Sequence, residues 1–192
     1  MLTEFEKYLA AQDCLTNEAI RRISSLAIPR TLRRNEFILR TGEICRHKIF
    51  IVKGLLRTFN TTVEGNEHIL QFSPELTWTL DVESYDQQVP SRFSIDAIET
   101  SNILLWHRND FNRLLAEIPA FKQLADQIIV RNVYRSRQRM LTILSATPEE
   151  KYADFIQSHP NFRSRLPLRM IAAYLGISLK TLTRIRHAQL QR

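Results

Sequence analysis

The sequence predicts an α+β protein: N-terminal helices, an antiparallel β sandwich or barrel, one long helix and a C-terminal helix-turn-helix. Three observations carry this. Between Arg34 and Leu105, short apolar or alternating runs are broken by turn residues, as in a set of short strands. Between Pro119 and Pro148 there is no glycine or proline, and apolar residues recur at helical intervals. From Leu168 to His187, apolar positions, a small residue and a glycine fall where two short crossing helices need them.

Residues 1–30 read as helical throughout. Leu2, Phe5 and Leu9 share a face, and Thr16-Asn17-Glu18 is a helix start ahead of Ile20, Ile23 and Leu26. The strand candidates are Phe37–Leu39, Ile49–Val52, Leu55–Phe59, His68–Phe72, Phe93–Ile98 and Ile103–Trp106. Gly42, Gly54 and Gly65 lie between them, and Val63–Glu67 suits a hairpin tip. In the long helix, Ala125, Ile129, Asn132, Ser136, Met140 and Ile143 form a stripe that could face its own domain, a second copy, or both. Asn132 and Ser136 argue against a strong coiled coil, and Arg131, Arg135, Arg137 and Arg139 read as solvated or ion-paired. Pro148 opens a further helix to about Ser158, stopped by Pro160. Pro167 suits the first turn of the next helix, which ends at Gly176. Ser178 caps the last helix, Leu179 to about Leu190. The expected divisions are therefore a sensor domain at 1–116, a linking helix at 117–146 and a helix-turn-helix domain at 147–192.

Hydrophobic residues make up 44% of the chain and charged residues 24%, the balance of a protein with a real core. No apolar run approaches the roughly 18–20 residues of a membrane span. The N-terminus lacks a basic stretch followed by an apolar one, so no leader is read and the expected location is the cytoplasm. Cys14 and Cys45 have no metal-ligand spacing and read as idle thiols in a reducing compartment. The net charge is +7, and its placement is informative. Arg163, Arg165, Arg169, Lys180, Arg184, Arg186 and Arg192 lie in the final 32 residues, which hold no acid. The other 20 cations are balanced by 20 acids in residues 1–160. A neutral body with a cationic terminal module points to a polyanionic partner, and a helix-turn-helix makes that partner double-stranded DNA.

Within the motif, Ile171, Leu175, Ile177, Leu182 and Ile185 face inward, Ala172 allows close approach and Gly176 permits the turn. The exposed face of the second helix then carries Lys180, Thr183, Arg184 and His187, with Arg186 adding charge. Ser178 and Thr181 stand at its N-terminus, and Arg169 near the start of the first helix, where each can meet phosphate. Arg184 and Lys180 are the candidates for base edges, since both side chains pair with guanine in the major groove. No HxH cluster, glycine-rich phosphate loop or nucleophile–base set is present, so no catalysis is expected. His47, His68 and His107 are scattered in sequence and read as ordinary, and no metal or cofactor is expected.

In its order of parts the chain resembles the Crp/Fnr family of bacterial transcription regulators. The resemblance rests on Glu36–Gly42, IFIVKGLLRTF at Ile49–Phe59, SIDAIETSNILLW at Ser94–Trp106 and IAAYLGISLKTLTRIR at Ile171–Arg186. It implies a jelly-roll sensor of the cyclic-nucleotide-binding kind, dimerisation through the long helix and a winged helix-turn-helix. It also implies a near-palindromic DNA site and contact with RNA polymerase. In well-known members a Gly-Glu and a later Arg-Ser hold the cyclic phosphate and ribose of cAMP. Here SPELTWTLDVESYDQQVPSRFS has no glycine, Glu75 is the only loosely matching acid, and Ser91-Arg92 reverses the order. cAMP is therefore not expected; the readings left are a different small-molecule effector in the same cavity, with Glu75, Trp78, Ser91 and Arg92 the residues to suspect, or no ligand at all. The cysteines of the family's iron–sulfur sensors are missing. Leu179 and Lys180 stand where the best-studied recognition helix has Arg and Glu, so only Arg184 matches a base-reading position. The chain leaves little length after the second helix for a wing hairpin. The alternative reading is a ligand-binding or protein-interaction module that no longer reads specific DNA.

Overall fold

The computed structural model describes residues 1–190. It forms two compact units: Met1–Asn60 with Leu70–Ile128, and Thr61–Ile69 with the chain from Ile129 onward. The first unit opens with helices α1 (Leu2–Ala10) and α2 (Asn17–Ser25), then strands β1 (Ile28–Leu32), β2 (Phe37–Leu39), β3 (His47–Lys53) and β4 (Leu56–Thr61). There follow β5 (Glu67–Ser73), β6 (Thr77–Thr79), helix α3 (Val82–Gln87), β7 (Ser94–Ala97), β8 (Ser101–His107) and helix α4 (Arg108–Glu117). The long helix α5 (Pro119–Ser145) leads to α6 (Pro148–Ser158), α7 (Phe162–Arg165), α8 (Leu168–Leu175) and α9 (Leu179–Leu190).

The strands form two four-stranded sheets in the orders β1-β8-β3-β6 and β2-β7-β4-β5, the antiparallel β-rich domain expected from the sequence. Every strand candidate is a strand. The helical reading of residues 1–30 fails at its end, because α2 stops at Ser25 and Ile28–Leu32 pairs antiparallel with β8. Pro29 is tolerated there because β1 is an edge strand, where a missing N–H costs no ladder bond. Four further elements gave too short or too weak a pattern to be anticipated: β6, α3, α4 and α7. The α3 helix starts where Asp81 accepts the backbone N–H of Ser84.

β3 and β8 are central, and alternate residues enter different cores. Ile49, Ile51, Ile103 and Leu105 join Leu39, Leu56, Ile95 and Ala97 between the sheets. Phe50, Leu104 and Trp106 point the other way, to Phe5, Leu9, Ile20 and Ile23 of the N-terminal helices. The indole N–H of Trp106 donates to the carbonyl of Ile23 at 2.9 Å, satisfying the polar atom of a fully buried ring. Gly54 has φ +107°, and a Cβ there would run into Ser101, so the β3–β4 turn admits only glycine.

Arg57 and Asp96 face each other in the β4–β7 register and form a buried bidentate pair, Nε to Oδ1 at 2.8 Å and Nη2 to Oδ2 at 3.0 Å. The Arg57 guanidinium also lies 4.0 Å from the centroid of the Phe59 ring.

In the second unit α6 starts with a full capping box, Thr147 and Glu150 each bonding the other's backbone N–H. Tyr152, Phe155, Phe162, Met170, Ile171, Leu175, Leu182 and Ile185 form its buried interior. His159 stacks on Phe155 and Phe162, with ring centroids at 5.3 and 4.8 Å. Burial holds its imidazole below the usual value. Nearby Arg135 and Arg139 push the same way, while the Phe155 backbone and Asp154 oppose them.

Two outcomes are expected. Asp96→Ala leaves a buried guanidinium without its carboxylate and should lower the unfolding free energy by about 3–5 kcal/mol in urea titrations. The double variant Arg57→Leu/Asp96→Leu should recover most of that loss. For His159, the unfolded chain takes up the proton first, so its contribution is intact above pH 6.5 and shrinks as pH falls through the folded value. The melting temperature should therefore drop between about pH 7 and pH 5, and His159→Phe should flatten that slope.

Candidate nucleic-acid interface

The two helices of the C-terminal motif form where the sequence places them. α8 ends at Gly176, which has φ 65° in the left-handed region and lets the chain turn within three residues into α9. Ile171, Ala172, Leu175, Leu182 and Ile185 are all buried at 5% exposure or less, and Ile177 is half-buried. These residues lock α9 against α8 and leave its other face to solvent.

The Ser178 hydroxyl accepts the backbone N–H of Thr181 at 3.0 Å and shares a hydrogen bond with its hydroxyl at 2.8 Å. One unpaired N–H of the first turn is thus capped, while the first turn carries no acid, so the positive end of the helix dipole is uncompensated. Lys180, Arg184 and His187 are exposed, and Thr183 is half-exposed with its hydroxyl donating to the Leu179 carbonyl at 2.9 Å. Arg169 is exposed at the start of α8. Arg186 differs from the rest: it is half-buried, and its Nε is shielded from solvent. Arg192 lies outside the described residues.

Arg184 has a neighbour that sequence reasoning missed. Its guanidinium stands 3.4 Å from Glu149 Oε1 at the start of α6, and the two side chains are 73% and 57% exposed. An open ion pair of this kind is worth little in water, so it orients Arg184 without committing it. The face as a whole is a short helix with cations at its centre, hydroxyls at its N-terminus and no carboxylate of its own.

Arg139 was read with its neighbours as solvated or ion-paired, and the structure corrects this. It is half-buried, with its guanidinium 3.9 Å from the Tyr174 ring centroid. It donates to the carbonyls of Tyr174 at 2.9 Å and Ile69 at 3.0 Å. Within the second unit it therefore joins α5 to the β4–β5 hairpin tip and to α8. Burial lowers its pKa, and the Tyr174 phenol, itself raised by burial, opposes that shift.

The four ligand candidates take up separate tasks. Glu75 accepts the backbone N–H of Gly54 at 3.1 Å and supports the β3–β4 turn. Trp78 is part of the aromatic core, edge-on to Phe50 with ring centroids at 5.0 Å. Ser91 is buried, and its hydroxyl donates to Asp81 Oδ2 at 2.5 Å. The Arg92 side chain is exposed while its carbonyl accepts from Asn60. A cavity of about 510 Å³ lies elsewhere in the first unit, walled by Leu39, Glu43, Ile44, Arg46 and His47 among others, and none of the four lines it. His47 and His107, distant in sequence, meet across β3 and β8 with ring centroids at 4.4 Å. Burial lowers the His47 pKa, and the charge of His107 adds to it. Among the described residues no three His, Cys, Asp or Glu side chains gather as metal ligands, and no helix is long and apolar enough to cross a membrane.

Residues 29–118 match the cyclic nucleotide-binding domain. The chain is 25% identical over 171 residues to the transcriptional activator protein Anr of Pseudomonas aeruginosa, an alignment covering 81% of this chain and 68% of that protein. Among solved structures, FixK2 from Bradyrhizobium japonicum superposes with a TM-score of 0.73 at 19% identity, covering 86% of this chain and 84% of that one. The c-di-GMP-responsive regulator CLP of Xanthomonas campestris does so with 0.74 at 10% identity, covering 92% and 93%. The chain thus carries a cyclic nucleotide-binding domain at residues 29–118, followed in sequence by a long helix and a helix-turn-helix, and it is similar to proteins named as transcriptional activators and to solved structures of Crp/Fnr-type regulators.

Proposed function

We propose that this chain is a DNA-binding transcription regulator of the Crp/Fnr type that reads a near-palindromic duplex site as a homodimer. The observation that carries the reading is α9. It is an acid-free helix packed on one face by α8, with Lys180, Arg184 and His187 exposed on the other. Such a helix fits the major groove, its N-terminal hydroxyls and N–H groups meeting phosphate and its longer cations reaching base edges. Lys180 and Arg184 are the base readers in this reading. Arg169, Ser178, Thr181 and Thr183 position the helix on the backbone.

Dimerisation through α5 sets two α9 helices about 34 Å apart, one turn of DNA, which is why the site is near-palindromic. The exposed Val130, Val133, Met140 and Leu144 of α5 support that pairing. The chain works in the cytoplasm, where the DNA and RNA polymerase are, and regulates without catalysis of its own. Its effector is a small molecule other than cAMP. The two positions nearest to the family's phosphate-holding pair are otherwise placed, Ser91 committed to Asp81 and the Arg92 side chain exposed.

Selection from a random duplex pool at near-physiological salt should enrich an inverted repeat. Failure to enrich any sequence, with a range of small-molecule effectors present, favours the ligand- or protein-binding module instead. On the selected site, Arg184→Ala should weaken binding by about 1–3 kcal/mol and relax preference at one position per half-site. An equal loss on random DNA would make Arg184 a phosphate contact.

A further inference from the structure

From Ile129 onward, α5 shows an apolar stripe with a cation in its middle. Val130, Val133, Met140 and Leu144 are 50, 46, 61 and 79% exposed. Together with Arg137 they recur with alternating gaps of four and three residues, the heptad spacing of a helix that packs along a partner helix. At 3.6 residues per turn the five side chains share an arc of roughly 80°. Arg137 is exposed and has no ion-pair partner among the described residues. Arg139 projects from the opposite side of the helix, into the contacts with Tyr174 and Ile69.

The occupant this stripe fits is a second copy of the same helix. In a parallel pair each heptad layer meets its own counterpart, so valine meets valine, leucine meets leucine and the stripe is self-complementary. The same layering sets Arg137 against Arg137 of the second copy, between the layers of Val133 and Met140, with helix axes about 8–10 Å apart. Two guanidinium groups at that range repel, and more strongly as apolar neighbours exclude water. No acid lies anywhere from Gln127 to Pro148, so neither helix has a carboxylate on this stretch to neutralise them. An anion drawn from solution would neutralise them. Guanidinium forks bind the oxygens of phosphate-type anions in pairs.

We propose that the two Arg137 side chains form a binding site for a phosphate-type oxyanion at the dimer axis, incomplete in either copy alone, and that its occupation tightens the dimer. The site rests on the homodimer reading above. The shared chemistry is the tetrahedral phosphate group, whether free or carried on a larger molecule.

Sedimentation equilibrium of the full chain at matched ionic strength, in chloride, in inorganic phosphate and in pyrophosphate, tests it. The dimer dissociation constant should fall by about tenfold or more from chloride to the phosphate buffers. Inorganic phosphate and pyrophosphate acting alike would mark the free ion as sufficient, and pyrophosphate alone would mark a larger phosphate carrier. Arg137→Leu should dimerise in chloride at least as tightly as the parent does in phosphate, and should no longer distinguish the anions. Arg135→Leu removes the same charge from the opposite face and should keep the response. A dimer that responds equally in the parent and in Arg137→Leu overturns the site, because the effect is then general salting-out. So does a parent dimer indifferent to the anion. A parent and an Arg137→Leu variant that both stay monomeric in every buffer overturn the dimer reading itself.

Discussion

The antiparallel register of β3 on β8 is the constraint from which the first unit follows. Ile49 opposite Leu105 and Ile51 opposite Ile103 supply the core between the sheets, while Phe50 opposite Leu104 supplies the core beneath the N-terminal helices. A slip of one residue would exchange the two sets and place large aromatics where aliphatic residues interlock. Both faces of these strands are buried, so the ladder cannot drift without breaking two cores together. The edge position of Pro29, the tight turn at Gly54 and the Trp106 hydrogen bond to Ile23 all presuppose that register.

The second unit is organised around a half-buried cation. Arg139 offers its guanidinium to two main-chain carbonyls and to the face of Tyr174, three acceptors that carry no formal negative charge. A desolvated guanidinium holds such partners tightly because losing one leaves a charge uncompensated. The long helix, the β4–β5 hairpin and α8 therefore share one side chain. Arg137, two residues earlier, points away from this centre and meets solvent. One helix thus spends neighbouring arginines on different tasks: Arg139 inward, to hold the unit together, and Arg137 outward, into solvent.

The exposed face of α9 is defined by what has been kept away from it. α9 has no acid, its first turn is capped by a hydroxyl, and the single carboxylate near Arg184 comes from α6 across an open 3.4 Å pair. Polyanion attraction falls with each misplaced negative charge, so a face free of its own acids matters as much as its cations. The neutral charge balance of residues 1–160 leaves this module as the electrostatic focus of the chain.

Much of this was legible in the linear chain. Local periodicity, glycine position and caps determined the strands, the long helix and both helices of the reading motif, because those features act within a few residues of one another. Charge counting located the cationic terminus for the same reason. The fates of individual side chains were decided only by tertiary structure. Trp78, suspected as a ligand contact, sits in the aromatic core because the β6–β3 pairing brings it onto Phe50. His47 and His107 touch although 60 positions separate them, because β3 and β8 set them in register. Arg139 and Arg137 are alike in sequence and opposite in environment, since a helix turns about 200° over two residues. Sequence by itself determined which segments are helices and strands and where the positive charge lies. Tertiary structure decided which polar side chains are buried, paired or left for a partner, because burial depends on neighbours that local pattern does not name.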